Sequence, residues 1–258
     1  LAGATITPPN GTGSGNVGSN TLYQYTLSTG FDLTTASPTF PTLPSGNSAQ
    51  DYTGTLNYRS IIFGDSGNKI FAVGETSAGV INLVQLNLNS AYDITSGFST
   101  TTFGVSNLSG VTISDIGGIW FNTSSATINS VNYNIGQLLF IIYKQNNIES
   151  AIVSYRLTDA FDITSIVTGS YVEKFQTDPG NNTVAWKGIS WSDDGTKLFV
   201  QDSYIDPPAA NGSIPRFYQY IPNSPYSISG EPTREYIYSA KQVANNTFDI
   251  HTSGIRFY

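Results

Sequence analysis

A hexamer with a fixed internal pattern occurs four times in this chain and limits the folds open to it. The copies are Tyr58-Arg-Ser-Ile-Ile-Phe63, Ile116-Gly-Gly-Ile-Trp-Phe121, Trp186-Lys-Gly-Ile-Ser-Trp191 and Thr252-Ser-Gly-Ile-Arg-Phe257. The third residue is always small (Ser60, Gly118, Gly188, Gly254) and the fourth is isoleucine (Ile61, Ile119, Ile189, Ile255). The sixth is always a large aromatic. A second apolar piece follows each hexamer, as in Lys69-Ile-Phe-Ala-Val73, Gln137-Leu-Leu-Phe-Ile141 and Lys197-Leu-Phe-Val200. A third motif reads Leu22-Tyr-Gln-Tyr-Thr-Leu27, Leu83-Val-Gln-Leu-Asn-Leu88, Ile152-Val-Ser-Tyr-Arg-Leu157 and Phe217-Tyr-Gln-Tyr-Ile221. An aromatic-Asp-aliphatic-Thr unit comes next, at Phe31-Asp32, Tyr92-Asp93 and Phe161-Asp162, with Tyr226-Ser227 as its fourth form. A last β-rich piece, such as Arg234 to Tyr238, closes the unit.

Each unit therefore holds four short apolar strands separated by Gly, Asn, Asp and Pro, and none has sustained helical periodicity. Asp194-Gly195 suits a tight hairpin turn, because glycine accepts a positive φ. Four-stranded units recurring roughly every 65 residues point to the blades of a β-propeller. The expected fold is all-β: one domain over 1–258 with four blades of four antiparallel strands. The blades are 252–258 plus 1–44, 58–105, 116–175 and 186–240, so the first is split between the N- and C-termini. Its second strand is expected at Ala4 to Thr7. A larger ring, of which this chain is an excerpt, is the alternative. The small third residue fits a first strand nearest the axis, where close backbone approach excludes large side chains.

Composition narrows the partners. The chain lacks cysteine, so disulfides and thiolate metal sites are ruled out. A net charge of −7 and the lack of any basic run make nucleic acid an unexpected partner. Runs such as Leu138 to Tyr143 are too short to span a bilayer, so membrane insertion is not expected. The sequence opens at Leu1, has no methionine and shows no signal peptide, which suggests a processed chain or an excerpt. Only 11% of residues are charged, while Ser, Thr, Asn and Gly are abundant, a composition common on virions and cell surfaces.

Trp191-Ser-Asp-Asp-Gly-Thr-Lys-Leu-Phe-Val200 and Tyr23-Gln-Tyr-Thr-Leu-Ser-Thr-Gly-Phe-Asp-Leu-Thr34 together resemble a propeller repeat found in phage tail and virion proteins and in bacterial surface proteins. The resemblance covers nearly the whole chain in diverged form. The third blade carries the insertion Asn122 to Gly136 in place of the Asp-Gly turn, and the fourth has Ser227 in place of Asp. It implies a propeller at a virion or extracellular surface and carries over no catalytic residue.

The repeated Asp32, Asp93 and Asp162 are expected to cap tight turns by accepting backbone N–H bonds, a role Ser227 can share. His251 is the sole histidine, so any Ser-His-Asp triad must use it. A glycosidase would need a carboxylate pair, for which Asp115, Asp178, Asp202 and Asp206 are available without a spacing that selects two. A calcium site among Asp193, Asp194, Asp202 and Asp206 lacks the Asp-x-Asp-x-Asp-Gly pattern. No metal or cofactor is expected. The residues entering the first strands, Tyr58, Arg59, Asp115, Trp186, Lys187 and His251, differ from blade to blade, as one asymmetric site near the axis requires. Aromatics beside hydrogen-bonding groups suit a glycan or protein receptor. The insertions Asn122 to Gly136 and Tyr204 to Pro215 offer a second surface. The expected function is thus non-enzymatic recognition or structural assembly, with a carbohydrate-active enzyme using rim carboxylates as the alternative.

Ring closure makes a prediction. Truncation at His251 removes Ile255 and Phe257, whose burial is worth about 1.5–3 kcal/mol each. Thermal melting should show a sharply lowered midpoint or loss of soluble protein. A truncated chain that melts like the intact one excludes closure through these strands.

Overall fold

The apolar runs become antiparallel strands, and their turn residues set the breaks between them. The computed structural model describes residues 2–5, 23–26, 56–76, 79–111, 113–145, 149–176, 184–205, 213–230 and 232–239. No α-helix occurs among them. A first sheet is ordered β3 (Leu56–Gly64), β4 (Lys69–Thr76), β5 (Ile81–Ser90), β6 (Asp93–Gly104). A second is ordered β7 (Asp115–Phe121), β10 (Leu138–Gln145), β11 (Glu149–Arg156), β12 (Glu173–Gln176). A third is ordered β13 (Val184–Trp191), β14 (Leu198–Ile205), β15 (Ser213–Ile221), β16 (Thr233–Ser239). Each covers one sequence repeat, and its strands pair inside that repeat. A small hairpin, β8 (Ala126–Ile128) and β9 (Val131–Tyr133), stands within the second repeat.

The remaining pair joins β1 (Ala2–Thr5) to β2 (Tyr23–Thr26), with Ala2 opposite Thr26. The strand expected at Ala4 to Thr7 thus lies two residues earlier, because Thr5 already faces Tyr23 at the end of the ladder. The hexamer at 252–258 lies outside the described residues.

The second sheet is apolar on both faces and sits between the other two. Leu138 to Tyr143 are all at most 1% exposed, as a strand covered on both sides must be. Leu139, Ile141, Val153 and Tyr155 pack toward Phe71, Val73 and Leu83 of the first sheet. Phe140, Ile142 and Ile152 pack toward Trp191, Leu198 and Tyr218 of the third. One aromatic arrangement anchors both seams. Phe71 lies 4.5 Å from Phe121 and 6.3 Å from Phe161. Phe140 lies 5.0 Å from Trp191 and 6.2 Å from Tyr226. Such ring pairs add to the area they bury.

The aromatic of the aromatic-Asp unit is held by a latch at the strand-one turn. Tyr92, Phe161 and Tyr226 have φ of 58°, 54° and 60°, costly for residues with a Cβ. Their N–H groups donate to Gly67 O, Gly136 O and Gly195 O at 2.8, 2.9 and 2.9 Å. Each ring covers that glycine so closely that an added Cβ would meet it at 2.3–2.4 Å. Gly136, at the end of the insertion, takes the place held by the turn glycine in the other units. Beside Gly195, the Asp194 carboxylate accepts bonds from Ser192 Oγ (2.7 Å), Thr196 N (3.0 Å) and Thr196 Oγ1 (2.8 Å). The Ser192 bond first, then those from Thr196, lower its pKa to about 2. Asp162 caps its turn as expected, accepting from Thr164 N and Oγ1 at 2.9 and 2.7 Å. Ser227 departs from that pattern. Ser229 N–H reaches its hydroxyl at only 3.4 Å, and the hydroxyl also donates to Glu173.

A buried polar clasp joins each of these sheets to the next. Gln85 Oε1 accepts the N–H of Ile163 at 3.0 Å. At the next seam the matching amide, that of Ile228, donates to Glu173 Oε2 at 2.7 Å. Ser154 occupies the place of Gln85 in this unit, and its short hydroxyl instead takes the Glu173 N–H at 3.1 Å. Removing the acceptor tests the clasp. Gln85→Ala strands a buried amide, a loss of about 1–3 kcal/mol. Melting should fall by about 2–4 °C per kcal/mol lost, and an unchanged midpoint would show that the clasp contributes nothing.

Candidate axial rim

The innermost strands of the three sheets, β3, β7 and β13, contact one another in turn. Each breaks register at the second place of its hexamer. Tyr58 and Ser60 pair with Gly74 and Val73, which leaves Arg59 bulged. Gly118 and Ile116 pair with Ile142 and Tyr143, which bulges Gly117. Trp186 and Gly188 pair with Asp202 and Gln201, which bulges Lys187. A bulge twists its strand and re-aims the extra residue. Where β7 meets β13, an added Cβ on Gly117 would lie 2.3 Å from Trp186 O and 3.0 Å from Lys187 Cα. Gly118 is also close, with Gly188 Cα at 3.5 Å. At Gly118 a Cβ would make ordinary contact, so the third place has room for a small residue and the strict constraint falls on the second place of β7.

The structure joins two of the six residues expected at this rim. Lys187 Nζ stands 3.7 Å from Asp115 Oδ2, bridging β13 to the head of β7. Their side chains are 45% and 23% exposed, so water reaches both. Asp115 also lies opposite Lys144 in the ladder, and Ser114 donates from N and Oγ to Lys144 O at 2.8 and 2.9 Å. Trp186 differs from expectation: it is 4% exposed, its ring lies 5.9 Å from that of Phe175, and its backbone N–H donates to Ser150 Oγ at 3.2 Å. The first place of the hexamer alternates into the core, as Ile116 (1% exposed) also shows, so the indole face is packed and not offered to a ligand. Tyr58 and Arg59 lie on β3 with their side chains outside the described residues, and His251 lies wholly outside them. Sequence reasoning selected these residues by their variation and missed the bulge, whose signal is the lone cation before the small third residue in two copies.

Of the carboxylates weighed for catalysis, Asp115 is held by Lys187, and Asp202 is placed on β14 by its backbone alone. Asp178 and Asp206 lie outside the described residues. Asp194 is committed to its turn. No group of three or more His, Asp or Glu suited to a metal occurs among the described residues.

The two insertions differ: the first forms a separate hairpin, and the described ends of the second prolong β14 and β15. Asn122, fully buried, donates to Ser124 O and Asn134 O and accepts Leu138 N–H, each at 2.8 Å. It ties down both ends of the β8–β9 hairpin, whose turn residues Asn129 and Ser130 take φ of 50° and 65°. The segment from Tyr204 to Pro215 begins and ends as the continuation of β14 and β15, with Tyr204 facing Ile214.

No family model and no curated protein matches the chain. Among solved structures it is similar to an exo-β-1,3-galactanase from Phanerochaete chrysosporium, solved with β-1,3-galactotriose, at 14% identity and a TM-score of 0.39. The match covers 70% of this chain and 36% of the galactanase, little more than a third of that structure.

The contact at Gly117 sets the rim and can be tested directly. Gly117→Ala forces backbone apart, and overpacking of this kind costs about 1–3 kcal/mol. The variant should melt at a lower temperature than the parent, whereas an unaltered midpoint would mean that β7 and β13 do not touch there.

Proposed function

We propose that the chain closes as a four-bladed β-propeller and acts as a non-enzymatic recognition module at a virion or cell surface, binding a glycan at its axial rim. Closure is supported by the repetition of one seam. The far face of the first sheet carries Phe63 and Tyr92, 5.4 Å apart, the counterparts of the Phe121–Phe161 pair. That face also holds Ile70, Val84 and Leu86 at no more than 1% exposure. The far face of the third sheet presents Phe199 and Gln219, which stand where Phe71 and Gln85 stand in the first. A fourth sheet built from both chain ends would bring Phe31 and Phe257 to Phe199 and complete the same aromatic group.

Recognition rests on one observation: the scaffold places of the innermost strands repeat while the residues at their entrance do not. Arg59, Gly117 and Lys187 share one bulge position, and Asp115 gives the rim an acceptor beside the Lys187 donor. Alternating donors and acceptors on a rigid frame suit sugar hydroxyls. The resemblance to phage tail, virion and bacterial surface repeats, and the polar but weakly charged composition, favour the surface setting.

A glycan array probed with the intact chain tests this reading, and the retained glycan should then be weighed. Binding of an intact glycan, lost in Asp115→Ala, is expected. A blank array removes glycan recognition and leaves an architectural role, whereas shortened glycan would reveal an enzyme.

A further inference from the structure

The far face of the third sheet departs from the repeat at three adjoining places. The third residue of each hexamer begins a row across three strands: Ser60–Val73–Leu83, Gly118–Ile142–Ile152 and Gly188–Gln201–Phe217. An aliphatic pair in the first two sheets thus becomes a carboxamide beside a phenyl ring in the third. The fifth place of the hexamer changes with it, from Ile62 and Trp120 to Ser190. Phe199, opposite Ser190, keeps the ring that Phe71 and Phe140 supply in the other sheets.

These changes coincide with a pocket. Gly188, Ser190, Phe199, Gln201 and Phe217 line a small recess, partly open to solvent, that begins immediately past the Lys187 bulge. Among the described residues no charged side chain lines it. Ser190 is 2% exposed, and its hydroxyl has no hydrogen-bond partner among the described residues. A buried hydroxyl left unpaired is destabilising. Isoleucine or tryptophan fills the same place in the other sheets without that loss, so packing does not account for the serine.

We propose that this pocket takes the N-acetyl group of an N-acetylhexosamine whose ring lies on the axial rim. The inference rests on the rim binding a glycan and names the class of sugar. The acetyl methyl lies against Phe199 and Phe217, its carbonyl accepts from Ser190 Oγ, and the amide N–H donates to the side-chain oxygen of Gln201. An acetamido group matches this lining in each respect: it is uncharged, short, apolar at its end and polar on both sides of its carbonyl carbon. A sugar with a hydroxyl in that place leaves both rings uncovered and Ser190 unpaired.

Titration calorimetry of the intact chain with chitotriose, N-acetylated on every ring, and with cellotriose tests the proposal. Both are uncharged β-1,4-linked trimers that differ only at C2, acetamido against hydroxyl. Chitotriose should bind about tenfold more tightly, from one neutral hydrogen bond and one buried methyl. Ser190→Ala removes the hydroxyl and should erase most of the preference. Ser190→Trp, which places in the third sheet the residue that the second already carries, should fill the pocket and abolish the preference without lowering the melting temperature. Should that larger variant fail to fold, Ser190→Ala decides alone. Equal binding of the two trimers overturns the acetyl pocket while the glycan rim stands. Failure of both to bind overturns the pocket too, and the glycan array then decides separately whether the rim binds other glycans. A preference that survives intact in Ser190→Ala places the acetyl group elsewhere and also overturns the proposal.

Discussion

The close approach of the innermost strands, tightest where the backbones of β7 and β13 touch, is the constraint on which this structure depends. Gly117 admits the Trp186 carbonyl where any side chain would collide with it, and Gly118 faces Gly188 one step further on. Strands that close together leave no room for a core between them, so the apolar mass must lie further out, between the faces of adjoining sheets. The central sheet shows the result, with its second strand buried on both sides. The bulges belong to the same constraint. A strand under such crowding gains twist by ejecting one residue, and the ejected residue becomes the one free to vary.

Away from the innermost strands, the seams combine a non-directional and a directional element. Phe71 and Phe140 fill the same gap against different partners, Phe121 and Trp191, so shape is only loosely prescribed. The clasp is stricter. An amide buried beneath an aromatic has to be paired, and Gln85 or Glu173 reaches it from the neighbouring sheet. Burial of that N–H makes a misplaced neighbour costly. Tyr226 adds a further tie, its hydroxyl donating to Asp193 O at 2.8 Å and accepting from Thr123 N at 3.1 Å across the seam.

What could be read in the sequence was what repeats with a side-chain signature. The fixed Ile119 and Ile189 and the sixth-place aromatics mark core faces, and the small third residue marks close approach, because volume and hydropathy are printed in residue identity. The rest depended on geometry that identity does not encode. Trp186 looked like a rim aromatic, but the alternation of its strand turns it inward onto Phe175. The place of Gln85 in its repeat hid its partner, since Ile163 belongs to the next unit along the chain. Gly136 was concealed by the insertion before it, although it meets Phe161 as Gly195 meets Tyr226. The latch tolerates this substitution because it needs one glycine with positive φ and one carbonyl, not a particular turn.

The clasp has a consequence for how such a chain can grow. A repeat of this kind carries an acceptor for the unit after it and an amide for the unit before it, and the exchange of Gln85 for Glu173 shows that the two halves need only match chemically. Contacts of this kind specify adjacency and are silent about number. Copying a unit in the gene would therefore create a compatible new boundary at both of its edges. What limits the number of units is then the meeting of the innermost strands, where Gly117 already has to admit a neighbour's carbonyl.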